Sequence, residues 1–129
     1  MNSYQSIYHM ETGDESQLIL AADQRKVTKV EAGFRHEGQL NGKTTLVFCM
    51  YYSTATNGQY EGYEFFEGLF EGKEASLWFF HKGTFDEKVV QARVESLPES
   101  GTGSLVGRKL GFSVVFEGHG PYELDIEVL

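Results

Sequence analysis

The stretch Tyr60-Glu61-Gly62-Tyr63-Glu64-Phe65-Phe66-Glu67-Gly68-Leu69-Phe70, followed by Glu71-Gly72-Lys73 and Glu74-Ala75-Ser76-Leu77-Trp78-Phe79-Phe80-His81-Lys82-Gly83-Thr84-Phe85, decides the fold. It reads as two strands of one hairpin. Successive side chains of a strand point to opposite faces, and a two-residue turn fixes which residues stand opposite each other. With Gly72-Lys73 as the turn, Phe70 faces Ala75, Gly68 faces Leu77, Phe66 faces Phe79, Glu64 faces His81, Gly62 faces Gly83 and Tyr60 faces Phe85. These pairs share one face, apolar except for Glu64 and His81. The other face sets Glu61, Tyr63, Phe65, Glu67 and Leu69 against Ser76, Trp78, Phe80, Lys82 and Thr84, a mixed surface suited to solvent or a partner. A three-residue turn would place Glu64 opposite Phe80 and mix the faces, and a one-residue slip is costly when one face is buried.

The next strand selects the same inside. With Asp86-Glu87 as a turn, His81 faces Ala92 and Phe79 faces Val94, so Val90, Ala92 and Val94 join the apolar face while Gln91, Arg93 and Glu95 point outward. Working outward in both directions, Thr28, Val30, Ala32, Phe34 and His36 form one inner stripe, and Thr44, Leu46, Phe48, Met50 and Tyr52 another. Leu110, Phe112, Val114 and Phe116 form a third. Tyr122, Leu124, Ile126 and Val128 follow the Gly118-His119-Gly120 loop. Asn41-Gly42 is a strong hairpin signal, yet a two-residue turn there pairs odd with even positions, which a bulge at Gly38 would restore. Residues 1–25 are the least legible: Gly13-Asp14-Glu15-Ser16 looks like a loop, and Gln17 to Ala21 like a short strand or a helical turn. Pro98 to Gly107 is a turn-rich connection with room for one short strand. No segment has a useful helical period. About eight short, hairpin-connected strands predict an all-β chain, a single antiparallel up-and-down β-barrel of the lipocalin-like type spanning residues 1–129. Such a barrel is just wide enough to be filled by side chains or to hold one small ligand.

The chain has 129 residues and a formal net charge of −8. That length buries a real core without staples. With no basic run, nucleic acid is not an expected partner, and the acidic balance disfavours an anionic membrane surface. The single cysteine, Cys49, excludes an internal disulfide framework. The start lacks the basic and apolar regions of a signal peptide, no apolar run reaches membrane-spanning length, and the expected compartment is the reducing cytoplasm.

Several stretches resemble a bacterial family of uncharacterised small proteins with an allene-oxide-cyclase-like barrel. The matching pieces are Gly62-Tyr63-Glu64 with Phe66-Glu67-Gly68, His81-Lys82-Gly83-Thr84-Phe85, Ser100-Gly101-Thr102-Gly103 with Leu105-Val106-Gly107, and Tyr122-Glu123-Leu124-Asp125. They run in the same order and spacing over residues 28–128. The chain departs from the family pattern at Val94, where a tryptophan is usual nearby, and at Trp78 and Phe80, where smaller or polar residues are usual. The resemblance implies a small antiparallel barrel and carries over no activity and no catalytic residue.

Glu64 and His81 form the one inward polar pair of the hairpin. It can be an acid–base dyad, an anchor for the polar group of an apolar ligand, or a satisfied buried pair that fixes register. The small Gly62 and Ala92 leave room beside it. Phe48, Met50, Phe66, Phe79, Ala92, Phe112 and Tyr122 are the residues expected to meet a ligand. His9, His36, His81 and His119 are scattered without ligand spacing, so no metal site and no cofactor is expected. Gly101, Gly103 and Gly107 lack the lysine and helix of a phosphate loop. Three functions compete: binding of a small, mostly apolar molecule inside the barrel; an isomerase, cyclase or lyase using Glu64 and His81; or a structural protein with a filled barrel. The outward aromatics Tyr63, Phe65, Trp78 and Phe80 point to a homo-oligomer, or else to a face covered by residues 1–25 of the same chain.

Overall fold

The computed structural model describes residues 3–118 and 120–129, with only the backbone of Ser3; Met1, Asn2 and His119 lie outside the described residues. Among the described residues nine strands form: β1 (Ser3–Leu20), β2 (Lys26–Gly38), β3 (Leu40–Tyr52), β4 (Gly58–Phe70), β5 (Lys73–Phe85), β6 (Val89–Ser96), the two-residue β7 (Thr102–Gly103), β8 (Leu110–Glu117) and β9 (Tyr122–Val128). Eight of them close into an antiparallel ring, β1-β2-β3-β4-β5-β6-β8-β9 and back to β1, while β7 pairs with the outer end of β5 inside the 97–109 connection. No helix occurs among the described residues. The inner stripes hold as read: Phe34, Leu46, Phe66, Leu77, Phe79, Val94, Phe112, Leu124 and Ile126 are all buried.

The registers differ from the sequence reading by two residues. The β4–β5 turn is Glu71-Gly72, with φ of 52° and 81°, so Phe70 faces Lys73, Phe66 faces Leu77, Glu64 faces Phe79 and Gly62 faces His81. Two positive φ values define the tight hairpin turn whose twist matches the strands, and its second position favours glycine. That puts Gly72 second in the turn, not first. At β5–β6 the Asp86 carboxylate accepts the backbone N–H groups of Lys88 and Val89 at 2.8 and 2.9 Å. The loop is therefore longer than two residues, and His81 faces Val94 while Ala92 faces Gly83. A slip of two leaves every side chain on its face, so the inside survives while the partners change.

Asn41-Gly42 is not a turn. The β2–β3 reversal falls at Gly38-Gln39, and Gly42 lies within β3 opposite His36 and Gly68. Its hypothetical Cβ would strike the Glu67 carbonyl and Gly68, so close strand approach holds the glycine there. Residues 13–16 are not a loop, and residues 17–20 are strand rather than helical turn: both belong to β1, the longest strand among the described residues. Register shifts at Met10/Thr12 and Gln17/Ile19 flip its parity twice, which hides an alternating pattern. As a barrel strand between β2 and β9, it does not cover the Tyr63, Phe65, Trp78, Phe80 face.

The ring is strongly staggered. From Ser3, cross-strand partners run through Glu127, Gly111, Glu95, Phe80, Tyr63, Val47 and Glu31, and return to β1 at Asp14. Closing a barrel needs such a stagger. Here it leaves β1 paired with β9 only over Ser3–Tyr8, while His9–Leu20 pairs with β2 alone. The barrel is consequently tight at the end holding the Glu71-Gly72 turn and open at the end holding the 86–88 loop.

Candidate functional site

The site is built on Glu64, in the middle of β4, with its side chain fully buried. Four donors from four other strands converge on its two oxygens. Oε1 accepts the Tyr8 hydroxyl at 2.8 Å from β1 and His81 Nε2 at 2.6 Å from β5. Oε2 accepts Thr44 Oγ1 at 2.6 Å from β3 and His36 Nε2 at 3.0 Å from β2. Behind the rings, Ser6 Oγ lies 3.3 Å from His36 Nδ1, and the Tyr60 hydroxyl lies 3.2 Å from His81 Nδ1. Among the described residues no buried side-chain nitrogen or oxygen lacks a partner.

Burial alone would raise the Glu64 carboxyl, but the hydrogen bonds that His36 and His81 make to it outweigh that and hold the group well below the ordinary carboxylate range. Glu64 is thus an anion. Burial, followed by the Glu64 charge, pushes the Tyr8 and Tyr60 hydroxyls well above their ordinary value; both stay protonated and donate. Tyr60 is buried and His81 Nδ1 is its hydrogen-bond partner, so the arrangement that pairs every proton has Tyr60 donating to Nδ1 and His81 donating from Nε2 to Glu64.

This polar layer divides the interior. Towards the tight end, Phe66, Phe70, Leu77, Phe79, Leu110 and Phe112 pack with no exposed surface to speak of. Towards the open end lies a cavity of about 500 Å³, walled by Val30, Phe34, Leu46, Phe48, Met50, Phe116 and Tyr122, with Tyr60 and His81 at its inner end. Its mouth is formed by Met10, Gly13, Asp14 and Glu15 of β1, the 86–89 segment and Gly118.

Of the residues expected to meet a ligand, Phe48, Met50 and Tyr122 line this cavity, as does His81 of the inward polar pair. Phe66, Phe79, Phe112 and Ala92 do not: the three rings are core packing on or beyond the polar layer, and Ala92 sits opposite Gly83. Glu64 and His81 touch, but diagonally rather than face to face, because Glu64 stands between Leu46 and Phe79 while Phe48 and His81 flank Gly62. His36, Thr44 and Tyr8 are the partners that sequence reading missed. His36 and Thr44 showed the inner parity, but their meeting with Glu64 depends on the stagger between strands; Tyr8 was hidden in the bulged strand. Cys49 is free and exposed, as its parity implied. Among the described residues no cluster of three or more His, Cys, Asp or Glu is arranged to hold a metal, and no helix is long and apolar enough to cross a membrane.

Fold and site together define a small closed antiparallel barrel with a buried, hydrogen-bonded carboxylate beneath an apolar cavity. The chain belongs to the family described as "Protein of unknown function (DUF3224)", whose sequence profile matches residues 4–127. A crystal structure of a protein with unknown function from this family, from Shewanella oneidensis MR-1, superposes with a TM-score of 0.76 at 14% identity, covering 98% of this chain and 97% of that one. At that identity the likeness speaks for the fold. No curated protein matches the chain.

Proposed function

We propose that the protein binds a small, mostly apolar molecule in the open half of its barrel, with any polar group of that molecule against Tyr60 and His81. The observation that carries this reading is the cavity: about 500 Å³, walled mainly by aliphatic and aromatic side chains, with two polar groups at its inner end. That is the common form of a small-molecule site. The allene-oxide-cyclase-like character of such barrels fits a greasy pocket and brings no reaction with it. The lone, unpaired Cys49 suits a reducing compartment, and we place the protein in the cytoplasm.

The test is a native mass spectrum of protein purified without added ligand, beside Leu46→Trp, which fills the cavity. The reading expects a bound small mass, or uptake of an added apolar probe, that the variant loses. A wild type that carries nothing and takes up no apolar probe contradicts it.

The acid–base reading is favoured by one observation, the 2.6 Å contact between His81 and Glu64. Of the described residues in the Glu64 layer, His81 and Tyr60 are the two that line the cavity, so in that reading Glu64 positions His81 rather than touching a substrate. Turnover that survives Glu64→Gln would end it. For assembly, we propose self-association through Tyr63, Phe65, Trp78 and Phe80. Tyr63 and Trp78 are 53% and 44% exposed, the rings pair on the outer wall as Tyr63–Phe80 and Phe65–Trp78, and exposed aromatic patches of this kind are enriched at interfaces.

A further inference from the structure

We propose that the cavity selects an organic cation, an apolar amine or quaternary ammonium, over neutral and anionic molecules of the same shape. The inference rests on the binding reading above and adds the charge of the ligand.

Three features of one cavity point the same way. First, its wall is rich in π faces: Phe34, Phe48, Tyr60, Phe116 and Tyr122 all line it. Phe48 and Tyr60 are 4.9 Å apart between ring centroids, as are Phe116 and Tyr122. A ring face carries negative potential and attracts a cation within about 6 Å, most strongly where water is excluded. Second, the inner end offers electron pairs rather than protons. Tyr60 spends its proton on His81 Nδ1, and His81 spends its Nε2 proton on Glu64. What remains toward the cavity is the lone pair of the Tyr60 oxygen, with the Glu64 anion one ring behind it. Third, among the described residues the mouth carries Asp14, Glu15, Asp86 and Glu87 against the single cation Lys88. The backbone N–H groups of Lys88 and Val89 hold the Asp86 carboxyl below its ordinary range, so it stays charged. A mouth lined by one sign of charge concentrates ligands of the other. Taken alone, the acidic mouth would be a solvated rim; with the aromatic wall and the accepting floor it becomes a filter.

The test uses two probes of one shape and a third of opposite charge: phenyltrimethylammonium, its carbon isostere tert-butylbenzene, and 4-tert-butylbenzoate. Each is titrated into the intact protein at low salt and followed by amide NMR shifts in the 86–90 segment. The proposal expects the ammonium to bind at least as tightly as the more hydrophobic isostere and about tenfold or more above the benzoate. In Asp14→Asn/Glu87→Gln, whose changes lie on the exposed mouth, the ammonium should weaken severalfold while tert-butylbenzene holds its affinity. If tert-butylbenzene binds and the ammonium binds more weakly, or the benzoate matches the ammonium, charge selection is wrong and the apolar site stands. If none of the three binds, the site itself is wrong and the inference falls with it.

Discussion

Glu64 shows how a carboxylate can sit with no exposed surface. Each oxygen receives two donors, and those donors come from β1, β2, β3 and β5, so the group ties five strands of the ring together. Removing one partner strands part of that charge. His81→Ala should therefore destabilise the fold by about 3 kcal/mol or more, read as a shift in urea midpoint; a loss under about 1 kcal/mol would mean that the layer is not held together by its charge. The pH dependence has a defined sign. In the unfolded chain Glu64 titrates near its ordinary value of about 4.3, and in the folded chain below it. As pH falls through that value the unfolded chain takes up the proton first, so the stability Glu64 contributes is essentially complete above about pH 5 and is lost progressively below it. The urea midpoint of the wild type should fall between about pH 5 and pH 3, and that of Glu64→Gln should fall less. Parallel curves would contradict the assignment.

Turns and close approaches set the elements. Gly72 meets nothing within 4 Å at its hypothetical Cβ, so its role is the backbone angle of 81° alone. Gly72→Ala should cost about 1 kcal/mol. Gly62 is a different case: a Cβ there would overlap the Phe48 backbone and side chain and the Val47 carbonyl. Gly62→Ala should lower the melting temperature well beyond Gly72→Ala, because backbone has to move. Equal effects from the two would show that strand approach at Gly62 is not tight. The same elements show what the sequence could and could not reveal. Which residues point inward was legible, since Phe66, Leu77, Phe79, His81 and Val94 stay on one face of an unbroken alternation within each strand of the meander. Which residues face each other was not: the Glu71-Gly72 turn and the Asp86 loop each admit a two-residue slip that leaves both faces intact. In β1 even the parity was lost, because its two bulges reverse the faces at Glu11 and again at Leu18. Four of the five groups in the Glu64 cluster, Glu64, His36, Thr44 and His81, were therefore visible as inward polar residues, and Tyr8 was not.

At the scale of the molecule, the stagger of the ring produces two unlike halves. The half below Glu64 is packed with rings and leucines, and supplies the apolar burial that holds the barrel; the half above is roomy, and any binding belongs there. The outer wall carries a separate expectation. If the Tyr63, Phe65, Trp78 and Phe80 face joins copies, sedimentation should show an assembly in the wild type and a monomer in Trp78→Glu; two monomers would end that proposal. The division into a filled and an open half is most directly tested by the electron density of crystals soaked in tert-butylbenzene. The account predicts the ring density above His81, in contact with Phe34, Phe48 and Met50, and none among Phe66, Phe79 and Phe112; density only in that lower cluster, or none anywhere in the barrel, would contradict it.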